Sequence, residues 1–600
     1  MKDHWDNPGS TGATARRAVR PSDRRIATLG ILLFLFALPL PALAQDSVIV
    51  IDPDARLADS LEQGGPSAEF LRRLVDRFNA TGTTRFWGDV DIPADAGLRG
   101  AIAVFRGSVR LAGRIDGSLL VINGSAAVLN GAEVTGDVMV IGGGLSVFPG
   151  GRVGGRQDVF LDAIPVSRAA DGRLVVRQRR QLPDLSAARK RFESGPFSTT
   201  LLLGTDRTYN RIEGLPIIFG PGFEYRFSPG LSARLDLHGI LRTATDVDAL
   251  REDFGYMARA ELRFQGLPGG GLGFRAYNQV RSIEDQPLSR SEVGWSAFLF
   301  QRDQRDYYLS QGVGSYLYFY PERSIRLEAG LRRDEESSVR ANDPWSLFRN
   351  SDRWRPNPLI DDGHFTVAHF AVEVDSRNDP DFPTDGWYLQ GRVERNWSND
   401  VAPVTLPTGV RGRLPGTGYA FNTVSFDLRR YSRLSANYRL NLRLYGSGYA
   451  GGDPLPVQRR VSLGGSDLLP GYAFRASTCL PAGAGDPASA ALCDRLLVAQ
   501  AEFRARLNVG VGFHFREREG APERFIGIDQ ADFVVFTDAG KAWLSGDGPG
   551  RVPDNRIPAF KEWKADAGVG LDLGNLAVYL ARALTDGEPL RLAFRIKRRF

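Results

Sequence analysis

From residue 215 to the end, apolar and polar positions alternate with period two, the pattern of strands with one apolar face. In 438–449, Leu440, Leu442 and Leu444 share one face while Asn441, Arg443 and Tyr445 share the other. Similar segments follow one another at 215–227, 231–241, 256–264, 272–280, 293–300, 313–320, 325–331, 365–374, 387–397, 419–428, 438–449, 497–507, 533–543, 563–573, 576–584 and 590–600. Short links at 321–324, 432–435 and 574–575 belong on one side, and long links at 335–364, 399–418, 451–495 and 544–562 on the other. About sixteen antiparallel strands with this asymmetry predict an all-β transmembrane barrel. The parity fails in the first third, where 243–255 and 281–292 are long on the side that should hold turns. The strand count there is open by two. Link 508–532 is also long for a turn, unless its flanking strands run on into it.

The last segment argues for a membrane. Leu592, Phe594, Ile596 and Phe600 alternate with Arg591, Arg595, Lys597 and Arg599. In a membrane barrel the apolar face meets lipid and the charges face a wet lumen, whereas a soluble sandwich would have to hold that charged face in water. Arg598 falls on the lipid side, close enough to the chain end to reach headgroups.

A different period precedes the barrel. Within 88–156, Ile115, Val121, Val128 and Val134 recur nineteen residues later as Val134, Val140, Val147 and Val153, with glycines between short Val/Ile/Leu runs. Such a period reads as a β-helical solenoid, whose coils bury a face only against each other. Further barrel strands are the alternative, but the runs are too short for spans of about 9–11 residues. The pattern resembles the polymer-forming bactofilin-like fold. Phe70, Leu71, Leu74 and Phe78 predict a helix over 67–78. At the start, an Arg-rich head, an apolar run at 26–40 and Ala42-Leu43-Ala44 read as a secretory signal cut after Ala44. That run is short for a spanning helix of about 20 residues. The expected organisation is a signal at 1–44, a small segment at 45–87, a periplasmic solenoid at 88–160, a basic linker at 161–196 and a barrel at 197–600. The linker either lies near anionic headgroups or is simply solvated.

Composition excludes more than it assigns. Lys+Arg 76 against Asp+Glu 70 leaves +6, too mild over 600 residues to argue for nucleic acid. Cys479 and Cys493 fit neither a zinc knuckle nor a redox CxxC; in an oxidising compartment they would form a local disulfide, the alternative being two free loop thiols. The five histidines are scattered, His364 and His369 straddle a loop–strand junction, and no nucleophile elbow or P-loop occurs. Asp361-Asp362 beside Gly363 reads as a solvated turn. No enzyme, cofactor or metal site is expected.

Four stretches carry a family resemblance over roughly 200–600. They are Tyr209-Asn210-Arg211-Ile212-Glu213-Gly214; Asp375-Ser376-Arg377-Asn378-Asp379-Pro380 through Pro383-Thr384-Asp385-Gly386-Trp387; the Gly464-Gly465-Ser466-Asp467 turn followed by Leu469-Pro470-Gly471-Tyr472; and Phe536-Thr537-Asp538-Ala539-Gly540-Lys541-Ala542-Trp543. In this order, ahead of a terminal Phe600, they resemble the bacterial surface-antigen superfamily, outer-membrane barrels that insert or translocate other proteins. The resemblance implies a Gram-negative outer-membrane location, contact with outer-membrane lipid, an unfolded client protein, and the barrel-assembly machinery for the chain's own insertion. It also makes Leu592, Phe594, Ile596 and Phe600 a C-terminal assembly signal. In that family a long loop folds back into its barrel and sets an Arg-Gly-Phe/Tyr tip against carboxylates of the twelfth and thirteenth strands. Here those carboxylates correspond to Glu502 and Asp538, but Pro470 stands where the arginine would be. Arg475 is expected to take the cation's part, with Arg459 and Arg460 entering from the other side; otherwise the loop lies elsewhere and water solvates the carboxylates. Family insertases carry periplasmic POTRA domains, and the solenoid occupies their place. The alternative function is therefore a structural or passive barrel anchoring a solenoid that self-associates.

A closed barrel resists unfolding. The mature chain should fractionate with outer membrane and migrate faster unboiled than boiled on a detergent gel; release by salt alone would contradict the barrel.

Overall fold

The computed structural model describes residues 68–600 apart from 161–165, 169–172, 177–186, 206–208, 245–253, 285–289, 349–352, 378–382, 413–417, 481–490, 516–523, 574–575 and the single positions 229, 265, 267, 323, 408, 411, 436 and 597. The expected signal and most of the expected linker lie outside the described residues.

Short β-branched runs separated by glycine can bury a face only by stacking. In the solenoid they do so as three parallel sheets of five, four and four strands. The strands of the five-stranded sheet begin at Thr84, Ile102, Leu119, Val138 and Gln157, so the nineteen-residue period holds only over the last three. The repeats read from sequence are direct ladder partners: Val121 with Val140, Val128 with Val147, Ile115 with Val134, and Val134 with Val153. The side chains of Ile115, Val121, Val128, Val134 and Val140, with those of Ile102, Val104 and Leu111, form the solenoid interior, while Val147 on the last coil stays exposed. The first coil starts at Thr84, slightly before the expected boundary at 88. Helix α1 (Ala68–Asn79) lays Leu74 and Phe78 on the outer face of the five-stranded sheet, against Ala103, Phe105, Leu120 and Ile122.

Past the solenoid, Val166–Arg168 and Leu174–Val176 pair as a short antiparallel ladder, and from Ala187 onward the described strands form one sheet of nineteen in sequence order, from Ala187–Ser194 to Arg591–Arg595. Two of these, Val401–Ala402 and Arg551–Val552, are two residues long, leaving seventeen spanning or near-spanning strands whose mutual pairings are all antiparallel. Apolar side chains such as Leu317 (53% exposed), Phe370 (52%) and Phe594 (65%) line one face, and charged ones such as Asp427, Arg443 and Glu502 are buried on the other. This is the lipid-out, polar-in arrangement of a membrane barrel. Among the described residues no ladder joins the first strand to the last.

Three expectations change. Segment 293–300 is no strand but the core of helix α2 (Arg290–Phe300), which buries Val293, Ala297 and Phe298 at helical spacing. An eight-residue apolar run fits either period, and tertiary packing decided. Removing that strand restores the parity of long and short links that the sequence could not reconcile. Residues 187–194, assigned to the linker, are a strand paired with Phe197–Thr205. The last strand stops at Arg595 instead of running to Phe600. Link 508–532 is short after all, because strands Arg495–Phe515 and Arg524–Ser545 run on into it.

The solenoid meets the barrel at the short turn after Arg433. The Arg433 guanidinium lies 3.5 Å from Asp89 and 3.2 Å from Asp91, and Arg110 donates to the Leu434 carbonyl (3.1 Å).

Val121 sits in a fully buried position in the solenoid. Val121→Asp would bury an unpaired carboxylate, a change expected to cost more than about 4 kcal/mol. Limited proteolysis of the full chain should then degrade 84–160 while the barrel keeps its heat-modifiable migration.

Candidate functional site

The loop after Tyr438–Gly452 does not extend into solvent. It turns back through Gly464 (φ +126°) and Gly465 (φ +97°), both in a region that favours glycine. Leu463, Leu468, Leu469 and Tyr472 are then buried against Val498, Ala542 and Ala583 of the inner wall. Gln500 donates to the carbonyls of Asp467 (3.0 Å) and Leu468 (3.1 Å). At the tip, the Gly471 amide donates to Asp566 (2.6 Å), and Tyr472 bonds to Thr585 (2.6 Å) and the Ala565 carbonyl (3.2 Å). Gly471 is required by close approach, since a Cβ there would stand 2.7 Å from that of Asp566. Pro470 lies between buried neighbours in the tip that carries these contacts. Further on, Cys479 and Cys493 are joined as a disulfide.

The cations of this loop are held by carboxylates of link 283–306, of strand Ile325–Ser338 and of the loop's own end. Arg475, itself at φ 54°, pairs with Glu284 (2.7 Å) and Asp306 (2.6 Å). Arg459 pairs with Glu336, and Arg460 with Asp494 (2.9 Å). Asp306 also receives Arg211 (2.8 Å) and Arg355 (2.6 Å). Arg211 belongs to the Tyr209–Gly214 stretch, where Asn210 Oδ1 caps the turn by accepting from the amides of Ile212 (2.9 Å) and Glu213 (2.8 Å). Two motifs far apart in sequence thus converge on link 283–306. Burial alone would raise Asp306, but Arg475, Arg355 and Arg211 outweigh it and hold the carboxyl below its ordinary 3.8.

The expected pairing of Arg475 with Glu502 and Asp538 is not formed. Glu502 pairs with Arg504 (2.6 Å), two residues along the same strand face, and Asp538 pairs with Arg599. Nor does water solvate these carboxylates, each 1% exposed. The reason lies in the chain end. After Arg595 the chain leaves the sheet and turns inward. Arg599 is buried over the Phe536 ring (3.9 Å), and Phe600 is only 5% exposed. Leu592 and Phe594 face outward as expected, Ile596 is half-buried, and Phe600 does not share their face. Arg598, expected on the lipid side, lies 3.3 Å from Asp572 and 3.5 Å from Asp532. Arg595 is clasped by Glu292 of α2 (2.7 Å) and Asp467 of the loop (3.0 Å).

The Asp375–Trp387 stretch forms the short-side turn, with Arg377 on Asp375 (2.6 Å) and Trp387 46% exposed beneath Arg430. Sequence reasoning missed Glu284, Glu292, Asp303 and Asp306. The signal for Glu284 and Glu292 was the excess length of link 281–292; Asp303 and Asp306 follow a segment whose pattern reads as a strand and gave none.

Residues 282–575 match the Omp85 superfamily domain. The chain carries an Omp85 superfamily domain. No curated protein matches it. Among solved structures, it is similar to BamA from Haemophilus ducreyi lacking POTRA domains 1–3, at 15% identity and a TM-score of 0.39, over 70% of this chain and 78% of that one. It is also similar to CdiB from Acinetobacter baumannii, at 12% identity and a TM-score of 0.28, over 70% and 68% of the two chains. CdiB from Escherichia coli matches at 12% identity and a TM-score of 0.29, over 68% and 66%. These likenesses are too distant to carry an argument; the Omp85 assignment rests on the domain match. It makes the chain an outer-membrane protein.

Arg475→Glu in this Omp85 barrel sets a third carboxylate against Glu284 and Asp306. The expected cost is about 3–5 kcal/mol, read as new protease cleavage within 453–475. Asp538→Arg will not rescue it, because the cation on Asp538 is Arg599; Glu284→Arg will restore protection in part. Since the folded value of Asp306 lies below the unfolded one, its contribution is complete above about pH 4 and is lost as pH falls through the folded value. Loop protection should therefore persist at pH 5 and fail only in stronger acid.

Proposed function

We propose that this Omp85 barrel inserts or translocates proteins at the outer membrane. One observation carries the reading: among the described residues the sheet ends in two strands that no ladder connects, and the last of them spans only Arg591–Arg595 before the chain turns inward. A strand edge with free backbone donors and acceptors is a template for an incoming strand. The client is an unfolded chain that adds a strand there. In this reading the loop tip at Leu469–Tyr472 and the Arg475 cluster hold the inner wall while the edge exchanges partners. The signal ends at Ala44, the solenoid lies in the periplasm, and the assembly machinery inserts the barrel itself.

A second reading, a structural barrel that anchors its solenoid, draws on one contact and one exposed coil. Arg433 ties the first coil to the barrel, while the last coil leaves Val147, Phe148 and Val159 about 40–49% exposed with its strand edges open. Self-association through that coil would then be the protein's main work.

Depletion separates the two. Loss of specific outer-membrane proteins, or of lipid asymmetry, is expected under the insertion reading. An unchanged outer-membrane proteome with altered clustering of the protein itself would favour the anchor.

A further inference from the structure

The sheet has one long strand too many. Neighbouring strands run antiparallel throughout, so an even number is needed for the first and last to meet antiparallel, as closed membrane barrels do. Among the described residues seventeen are present once the two-residue pieces are set aside, and the first and last, Ala187–Ser194 and Arg591–Arg595, therefore run in the same direction. Without Ala187–Ser194, sixteen remain, bounded by Phe197–Thr205 and Arg591–Arg595, which run in opposite directions.

The chemistry of 187–194 sets it apart from its neighbours. Phe197–Thr205 exposes Phe197, Leu201 and Leu203 on its outer face. Ala187–Ser194 exposes Lys190 and Phe192, and Lys190 is the ladder partner of Leu201, halfway along the neighbouring strand. A lysine on the lipid side at that depth is unfavourable and is normally kept off barrel exteriors; here its ammonium sits 5.2 Å from the Phe192 ring. On the inner face Arg191 reaches Ser198 (3.3 Å) and, at 3.7 Å, Glu224. The contact is a full antiparallel ladder of eight residue pairs made by a strand poorly suited to lipid.

We infer that Ala187–Ser194 is an exchangeable strand that the chain donates to its own barrel edge. It occupies the edge of Phe197–Thr205 and keeps that edge from pairing with Arg591–Arg595 or with any other strand. This rests on the reading of that edge as the client's docking place, and deepens it: the resting protein carries a stand-in for its client, and the accepted partner is a short strand adding antiparallel to Phe197–Thr205. Leaving breaks one ladder only, since the stand-in has no second neighbour, and the edge it frees is re-paired by the strand that replaces it. Its ejection exposes an edge of the correct direction either for closure by the last strand or for a client.

Paired cysteines test this in the full chain in outer membrane, beside the native Cys479–Cys493 disulfide. Directly opposed strand residues lie within disulfide reach. Lys190→Cys with Leu201→Cys should oxidise to near completion in the resting protein. Leu201→Cys with a cysteine at Leu592 or Phe594, the outward positions of the last strand, should remain mostly unlinked. Replacing 187–194 with a Gly/Ser stretch of equal length should raise the second cross-link at least several-fold while heat-modifiability stays. Complete linkage of Leu201→Cys to the last strand in the otherwise unaltered chain would overturn the inference, as would an unlinked Lys190→Cys, Leu201→Cys pair. No client enters these readouts, so they stand or fall apart from the insertion reading, which depletion judges.

Discussion

In hydrocarbon a backbone amide or carbonyl without a partner costs several kcal/mol, so a sheet in a bilayer must dispose of its edges. Most of this structure follows from that demand. Each strand from Phe197–Thr205 onward has neighbours on both sides until Arg591–Arg595. The two ends are treated differently from each other. One edge is covered by a strand from the chain's own approach to the barrel, and the other is shortened to five residues and drawn inward by Arg595, Arg598 and Arg599. The edge problem is thus moved to one seam, where the chain's own segments manage it.

The inner wall answers a second demand, that buried charge be paired. Period two places residues i and i+2 on the same face, and the wall uses it repeatedly: Arg332 with Asp334, Asp427 with Arg429, Glu502 with Arg504. Pairs of this kind add little net stability, yet losing one member is expensive because the other stays buried. The loop, the 209–214 turn and helix α2 are fastened by the same kind of contact.

Much of this was legible in sequence where the signal was local. Leu440, Leu442 and Leu444 announce a strand, and the Val121–Val140 and Ile115–Val134 repeats gave the solenoid register residue by residue. What failed was non-local. Val293–Phe300 has no period of its own to choose helix over strand, and its choice depends on Tyr209 and Trp345, which pack around Phe298. The partner of Asp538 could not be read from a loop motif, because Arg599 arrives only once the chain end abandons the sheet. Arg475 is a buried cation, but its carboxylates are Glu284 and Asp306, on a link that the strand pattern splits wrongly, and not Glu502 or Asp538. The charged text of 187–194 describes a linker well; only the neighbouring edge makes it a strand.

The join between solenoid and barrel has a mechanical side. Asp89, Asp91 and Arg110 hold the single turn after Arg433, between strands Tyr419–Arg433 and Tyr438–Gly452. The second of these strands leads directly into the loop whose tip rests on Asp566. A pull or twist on the solenoid enters the wall at this hairpin and at Arg506 of the strand beside it. From the hairpin it travels along one strand of about 15 residues and arrives at the loop in the lumen. The solenoid is built as a handle, and the handle is fixed to the strand that carries the bolt.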